Sequence, residues 1–186
     1  MKIYLASKSP RRQQLLKQIG MDFEIIDADV DEHWNGSENP RAYVERLALE
    51  KAQTGKSKIN TPEPFVVIGA DTSVVLDDIV LGKAENTDQA IHMLKQLSGR
   101  LHYVYSSVAL VAHEHEMVKT SVSRVSFKHL TDAEIKKYCN TGESLGKAGG
   151  YAIQGLAAIF VEKLEGSYSG IMGLPLYETS ALLNKL

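Results

Sequence analysis

The chain has 186 residues, 44% of them in the set AVILMFWYC and 24% charged, with no low-complexity tract; a chain of this length and make-up can bury its own core, which excludes intrinsic disorder and fibrous repeats. Lys and Arg total 21 against 23 Asp and Glu, a formal net charge of −2, which argues against a general nucleic-acid coat or a polybasic membrane binder while leaving room for local basic patches. A single cysteine, Cys139, excludes an intrachain disulfide, no apolar run approaches the ~18 residues of a membrane span, and the first seven residues turn polar too soon for a signal peptide; the expectation is a soluble, cytoplasmic protein.

Ile3 to Ala6 reads as a short buried strand. Ser9 then suits an N-cap and Pro10 the first helical position, Leu15, Leu16 and Ile19 share one helical face, and Gly20 stops the helix. Phe23 to Ile26 is a second strand, and residues 31–40 are a polar loop. Tyr43, Val44, Leu47, Ala48 and Lys51 fit a helix, and residues 56–64, with Pro62 and Pro64, a surface connection. Phe65 to Leu76 holds two apolar runs around Gly69-Ala70-Asp71-Thr72-Ser73. Ala90, Ile91, Met93, Leu94 and Leu97 make another amphipathic helix, ended by Gly99. Residues 102–112 and 117–127 read as paired strands across the turn His113-Glu114-His115-Glu116. Thr131-Asp132-Ala133-Glu134 is a capping box opening a helix through about Tyr138. Ala157 to Leu164 is apolar enough for a strand, and a closing helix follows from Leu174. The irregular alternation of strands and helices predicts α/β or α+β with a mixed sheet, and the lack of a long linker predicts a single domain over 1–186.

Four segments carry residues suited to chemistry. In Ser7-Lys8-Ser9-Pro10-Arg11-Arg12 a strand feeds a helix start, whose free N–H groups favour an anion; Lys8, Arg11 and Arg12 add charge. The alternative is an ordinary cap with solvated bases. Asp71 interrupts an apolar run, where an ionised carboxylate is costly unless paired or metal-bound; its alternative is a turn cap between two strands. An aspartyl-phosphate nucleophile is weaker, because Ser73 stands where a second carboxylate is expected. Lys83 after Gly82, and Asp31-Glu32 in the polar loop, read as surface residues or as ligands for phosphate and a divalent cation. From Gly142 to Gly155 five glycines permit close approach of the backbone to a ligand, and Gln154 offers a donor and an acceptor to a base edge; a mobile loop is the alternative. His113 and His115 make no metal signature, no Gly-x-Ser-x-Gly occurs, Cys139 suits packing, and Trp34 suits a partly buried anchor.

Leu5-Ala6-Ser7-Lys8-Ser9-Pro10-Arg11-Arg12, Gly69-Ala70-Asp71-Thr72, Gly82-Lys83, Lys147 to Gly155, and Gly166-Ser167-Tyr168 with Gly173-Leu174-Pro175-Leu176 occur in one order over nearly the whole chain. As an ordered set they resemble the Maf family of nucleoside triphosphate pyrophosphatases, and Ala148-Gly149-Gly150-Tyr151-Ala152-Ile153-Gln154-Gly155 looks like its dTTP/UTP-specific branch. The resemblance implies an elongated α/β fold, inosine-triphosphatase-like, with a central mixed sheet and a cleft between two lobes. It implies hydrolysis of dTTP and UTP, or modified pyrimidine nucleotides, to the monophosphate and pyrophosphate with Mg²⁺ or Mn²⁺. Asp71 matches the proton acceptor, with Glu32 and Lys83 as further catalytic residues. Arg12, Thr72 and Gln154 match positions of substrate choice, Ser7, Ser9, Arg12 and Lys51 would bind phosphate, and Asp71 and Glu32 would hold the metal. The implied partner is the nucleotide, with no nucleic acid and no membrane, and a homodimer would be unsurprising. Two residues depart from the family pattern: Gly146 stands where it has Asp, and Ala84 where it has Pro. The first leaves one carboxylate fewer near the proposed metal and supports an alternative, a nucleotide-binding regulator with weakened catalysis, linked to cell division.

Overall fold

The structure, a computed structural model, describes residues 1–34, 36–113 and 115–186. Asn35, in the polar loop read from the sequence, and Glu114, in the expected hairpin turn, lie outside the described residues. In chain order the elements begin with β1 (Lys2–Leu5), α1 (Pro10–Gln18), β2 (Glu24–Ile25), α2 (Pro40–Ser57), β3 (Phe65–Leu76), β4 (Ile79–Leu81) and α3 (Thr87–Leu97). They continue with β5 (Leu101–Val111), β6 (Glu116–Phe127), α4 (Asp132–Cys139), a 3₁₀ turn (Leu156–Phe160), β7 (Val161–Glu165), α5 (Tyr168–Met172) and α6 (Leu176–Leu183). The strands form one mixed sheet in the order β2-β1-β3-β5-β6-β7, with β4 on the free edge of β3. β1 runs parallel to β2 and β3, and every other pairing is antiparallel. No helix is long and apolar enough to cross a membrane among the described residues.

β3 is the spine. The two apolar runs around Asp71 form one continuous strand, because β5 pairs with it from Val67 to Val75 without a break. Strand alternation then sorts its side chains onto two faces. Val67 faces α2 and packs with Ala48, Ala52, Ala109 and Val111. On the opposite face, Val66, Ile68 and Ala70 join a core with Leu15, Leu16 and Leu182, whereas Val74 and Leu76 join a second core with Leu94, Ile135 and Phe160. Thr72 falls between these two cores, at the expected cleft between lobes. Gly69 permits the close approach of α2: a Cβ there would stand 2.1 Å from the Ala48 carbonyl oxygen and 2.6 Å from the Ala52 nitrogen.

Several local outcomes differ from the sequence reading. Residues 157–164 do not form one strand. Ala157 and Phe160 are both buried three residues apart, which is 3₁₀ spacing, and the strand starts only at Val161. β4 was not legible as a strand; Asp77 and Asp78, at φ 51 and 61, make the two-residue left-handed turn that folds it back onto β3. The short α5, capped by the Ser167 hydroxyl on Gly170 N–H at 3.0 Å, precedes the closing helix. The Thr131 capping box forms as read, with both of its reciprocal bonds present.

Candidate active site

A gap in the sheet edge opens the site. β1 pairs with β3 only as far as Ile68, where Ala6 N–H donates to Ile68 O at 2.8 Å, and β4 pairs only from Val74. Between these limits β3 has no strand neighbour on that side. Since the Ile68 carbonyl points to β1, alternation turns the backbone N–H and C=O of Ala70 and Thr72 toward the gap, and those of Gly69, Asp71 and Ser73 toward β5. The cleft over this gap has a volume of about 840 Å³.

On its floor four charges alternate. Asp71 is 5% exposed, and its Oδ1 accepts from Lys51 Nζ at 2.7 Å. Lys51 projects from the buried face of α2 and is itself 6% exposed. It pairs also with Glu32 Oε1 at 2.7 Å, and Lys83 pairs with the other oxygen of Glu32. Burial alone would push the Glu32 carboxyl up, but the two lysines outweigh it and hold the group at about 2. Tyr43 donates its hydroxyl to the Glu32 carbonyl at 2.5 Å and so fixes the loop that carries it. Burial and the neighbouring Asp71 and Glu32 push that phenol up to about 12, so it stays a donor. The second Asp71 oxygen, Oδ2, accepts from the Ser73 hydroxyl alone among the described residues, at 3.4 Å.

Basic groups form one wall. Ser9 occupies the N-cap position of α1 but its hydroxyl caps nothing; its own N–H donates to Ser7 Oγ at 3.3 Å. The first-turn amides therefore have no side-chain acceptor from Ser9. Arg12 is held by two bonds, Nε to the Gly173 carbonyl at 2.8 Å and a guanidinium N–H to Ser7 Oγ at 3.1 Å. Lys8 lines the cleft rim in an exposed pair with Asp27, 2.8 Å apart. Lys83 is brought across from the other side by pairing with Ala148, and Gly149 N–H donates to Gly82 O at 3.1 Å. Thr72 shares a 2.8 Å hydrogen bond with the Ser106 hydroxyl, and Gln154 is exposed on the far lip.

All nine residues singled out in the sequence line this one cleft: Ser7, Ser9 and Arg12 on one wall, Glu32, Lys51 and Asp71 on the floor, and Thr72, Lys83 and Gln154 around it. Arg11, Glu143 and Lys147 line it too. Arg11 was expected to add charge at the helix start, whereas Glu143 and Lys147 lay in the glycine-rich segment without a role of their own. Gly146 also reaches the cleft, at φ 68 with open space about the position of a Cβ. Asp tolerates that conformation better than most residues.

Asp71 and Glu32 are the two carboxylates expected to hold a metal. Among the described residues no group of three His, Cys, Asp or Glu stands together, and the Lys51 ammonium occupies the space between the two carboxylates. The donor chemistry does fit a hard divalent cation carried in by a polyphosphate, which needs only one or two protein carboxylates beside phosphate oxygens and water.

A lysine-neutralised acid pair, Asp71 buried and Glu32 half-buried, below a basic wall defines a cleft for a small polyanion in an α/β frame. The chain belongs to the Maf family: the model of Maf-like proteins matches residues 2–186. Proteins named dTTP/UTP pyrophosphatase are similar to it along more than nine-tenths of their length. That of Alkalilimnicola ehrlichii is 52% identical, over 98% of this chain and 92% of that one. Those of Xanthomonas axonopodis pv. citri and Chromobacterium violaceum are each 49% identical, over 97% and 98% of this chain and 96% and 93% of theirs. A solved structure described as a nucleoside-triphosphatase or dITP/XTP pyrophosphatase from Mycobacterium abscessus aligns over 68% of this chain and 74% of that one, with 21% identity and a TM-score of 0.43.

Proposed function

We propose that this protein hydrolyses dTTP and UTP to the nucleoside monophosphate and pyrophosphate. The observation that carries the proposal is the Lys83–Glu32–Lys51–Asp71 chain on the floor of a cleft walled by Arg12 and the start of α1. The names of the family relatives support the same reaction and the same bases. The single cysteine, Cys139, fits a reducing compartment such as the cytoplasm, where free nucleotides are met.

In this reading Arg12, Lys83 and the first-turn amides of α1 bind the triphosphate and offset the charge that gathers on the leaving pyrophosphate. Lys51 fixes Asp71 by its Oδ1, which leaves Oδ2 directed to an attacking water. That oxygen takes the proton as the water oxygen bonds to the α-phosphorus. The bond from the α-phosphorus to the bridging oxygen breaks, and pyrophosphate leaves with the electron pair. A Mg²⁺ or Mn²⁺ ion held by Asp71 and Glu32 with the phosphates would supply further charge neutralisation. Gln154 and Thr72 read the pyrimidine edge; the Thr72 hydroxyl keeps bonding capacity beyond its bond to Ser106.

A product assay tests the proposal. The protein is incubated with dTTP, UTP, CTP and GTP in Mg²⁺ or Mn²⁺ and the products are separated by chromatography. Monophosphate and pyrophosphate from dTTP and UTP are expected. Orthophosphate from the γ-position would overturn it, and tight binding of dTTP without turnover would favour the regulator reading, with Gly146→Asp as the variant to examine next.

A further inference from the structure

Beside the Gln154 segment lies a hydrogen-bonded clamp that the hydrolytic chemistry does not use. The Glu143 carboxylate accepts the Leu156 N–H on both oxygens, at 3.0 and 3.1 Å. It lies so close to Gly155 that a Cβ there would stand 2.3 Å from Oε2 and 2.5 Å from Oε1, so a side chain at Gly155 would displace the carboxylate. The Tyr138 hydroxyl lies within electrostatic reach of the same carboxylate and accepts the Ala152 N–H at 3.2 Å. Burial and the Glu143 charge push this phenol above its ordinary range, which keeps it protonated. Ala152 and Leu156 are thus both tied to one acid–phenol pair, and Gly155 N–H closes a turn on Ala152 O at 3.0 Å between them. Gln154 is inside that turn, with its side chain exposed in the cleft.

Charge makes a carboxylate unexpected here. Glu143 acts electrostatically on Arg11 and Lys147, which line the same cleft. An anion at that wall weakens the attraction those groups exert on a triphosphate. A carboxylate is nonetheless the strongest side-chain acceptor for backbone N–H groups, and holding the backbone is the task that this geometry shows.

We propose that Glu143, with Tyr138, is a positioning residue that fixes Gln154 against the pyrimidine edge and so sets base discrimination. The inference rests on the reading of Gln154 as a base-reading residue.

Steady-state pyrophosphate release and calorimetric binding of dTTP, UTP and CTP are measured for the unchanged protein, E143A, E143Q and Y138F. E143A is expected to raise KM and the dissociation constant for dTTP roughly tenfold, the effect of a lost charged hydrogen bond, to leave kcat near its original value, and to narrow the preference for dTTP over CTP by a similar factor. E143Q keeps an oxygen for the Leu156 N–H and should restore most of that preference. Y138F keeps the ring packed on Phe160, 5.3 Å between centroids, and should narrow it as E143A does. A folded E143A or Y138F with the original preference overturns the proposal, whatever its melting temperature. If E143A does not fold, Y138F and E143Q decide by the same ratio. If the unchanged protein binds dTTP but releases no pyrophosphate, the hydrolytic reading fails on its own, and the binding ratios across the variants still decide the role of Glu143.

Discussion

At the scale of single residues, the site depends on one lysine held between two acids. Removing its charge leaves Asp71 buried and facing Glu32 without compensation, so Lys51→Met should destabilise the fold by about 3–5 kcal/mol, read from chemical denaturation. Asp71→Asn keeps the shape and can still accept from Lys51, so its stability should change little. Its turnover should fall by about 10²- to 10⁴-fold, the usual worth of a positioned base; pyrophosphate release at saturating dTTP checks it. A titration effect belongs to a residue outside the cleft. His102 is fully buried, with Nε2 2.8 Å from the Tyr151 hydroxyl, and burial holds its pKa at about 4 against an ordinary 6.5. Between those values the unfolded chain binds a proton that the folded chain refuses, so stability should fall as pH drops from 6.5 to 4 and this contribution should level off below. Denaturant midpoints should show the slope in the original protein and a shallower one between about pH 6.5 and 5 in His102→Gln, where the carboxylates do not yet contribute.

At the scale of elements, the contact of α2 with β3 positions Lys51 against Asp71. Gly69→Ala would drive a methyl into the backbone of α2 at Ala48 and Ala52. It should cost at least about 3 kcal/mol, because backbone cannot yield as a flexible side chain does. It should also lower activity by separating Lys51 Nζ from Asp71, which parallel melting and turnover measurements would show. This contact explains what the sequence made legible and what it did not. The capping box at Thr131 and the pairing of 102–112 with 117–127 follow from local spacing, and both form; Leu15 and Leu16 are buried as read, but Ile19, read onto their face, is the exposed C-cap of α1. Asp71 was recognisable because a carboxylate in an apolar run needs a partner, but its partner was not: Lys51 lies 20 residues away on another element, and only the register of α2 on β3 joins them. Likewise the 3₁₀ turn at Leu156–Phe160 depends on Glu143, 13 residues earlier. The turn at Asp77-Asp78 was hidden because neither residue is glycine.

At the scale of the whole molecule, β3 runs through both large cores and carries the site where they part. The cleft is therefore a break in pairing along an unbroken strand rather than a joint between separately anchored bodies. Adjacent amides on β3 face different worlds. Those of Gly69, Asp71 and Ser73 point to β5, and those of Ala70 and Thr72 point into the opening. In deuterium exchange followed by NMR, the first set should be released only when the whole structure opens, whereas the second should exchange far sooner despite lying in the same strand. Slow exchange at all five positions would mean that something already covers the opening. Loss of the difference when a triphosphate is added would mark it as the place where the ligand completes the sheet.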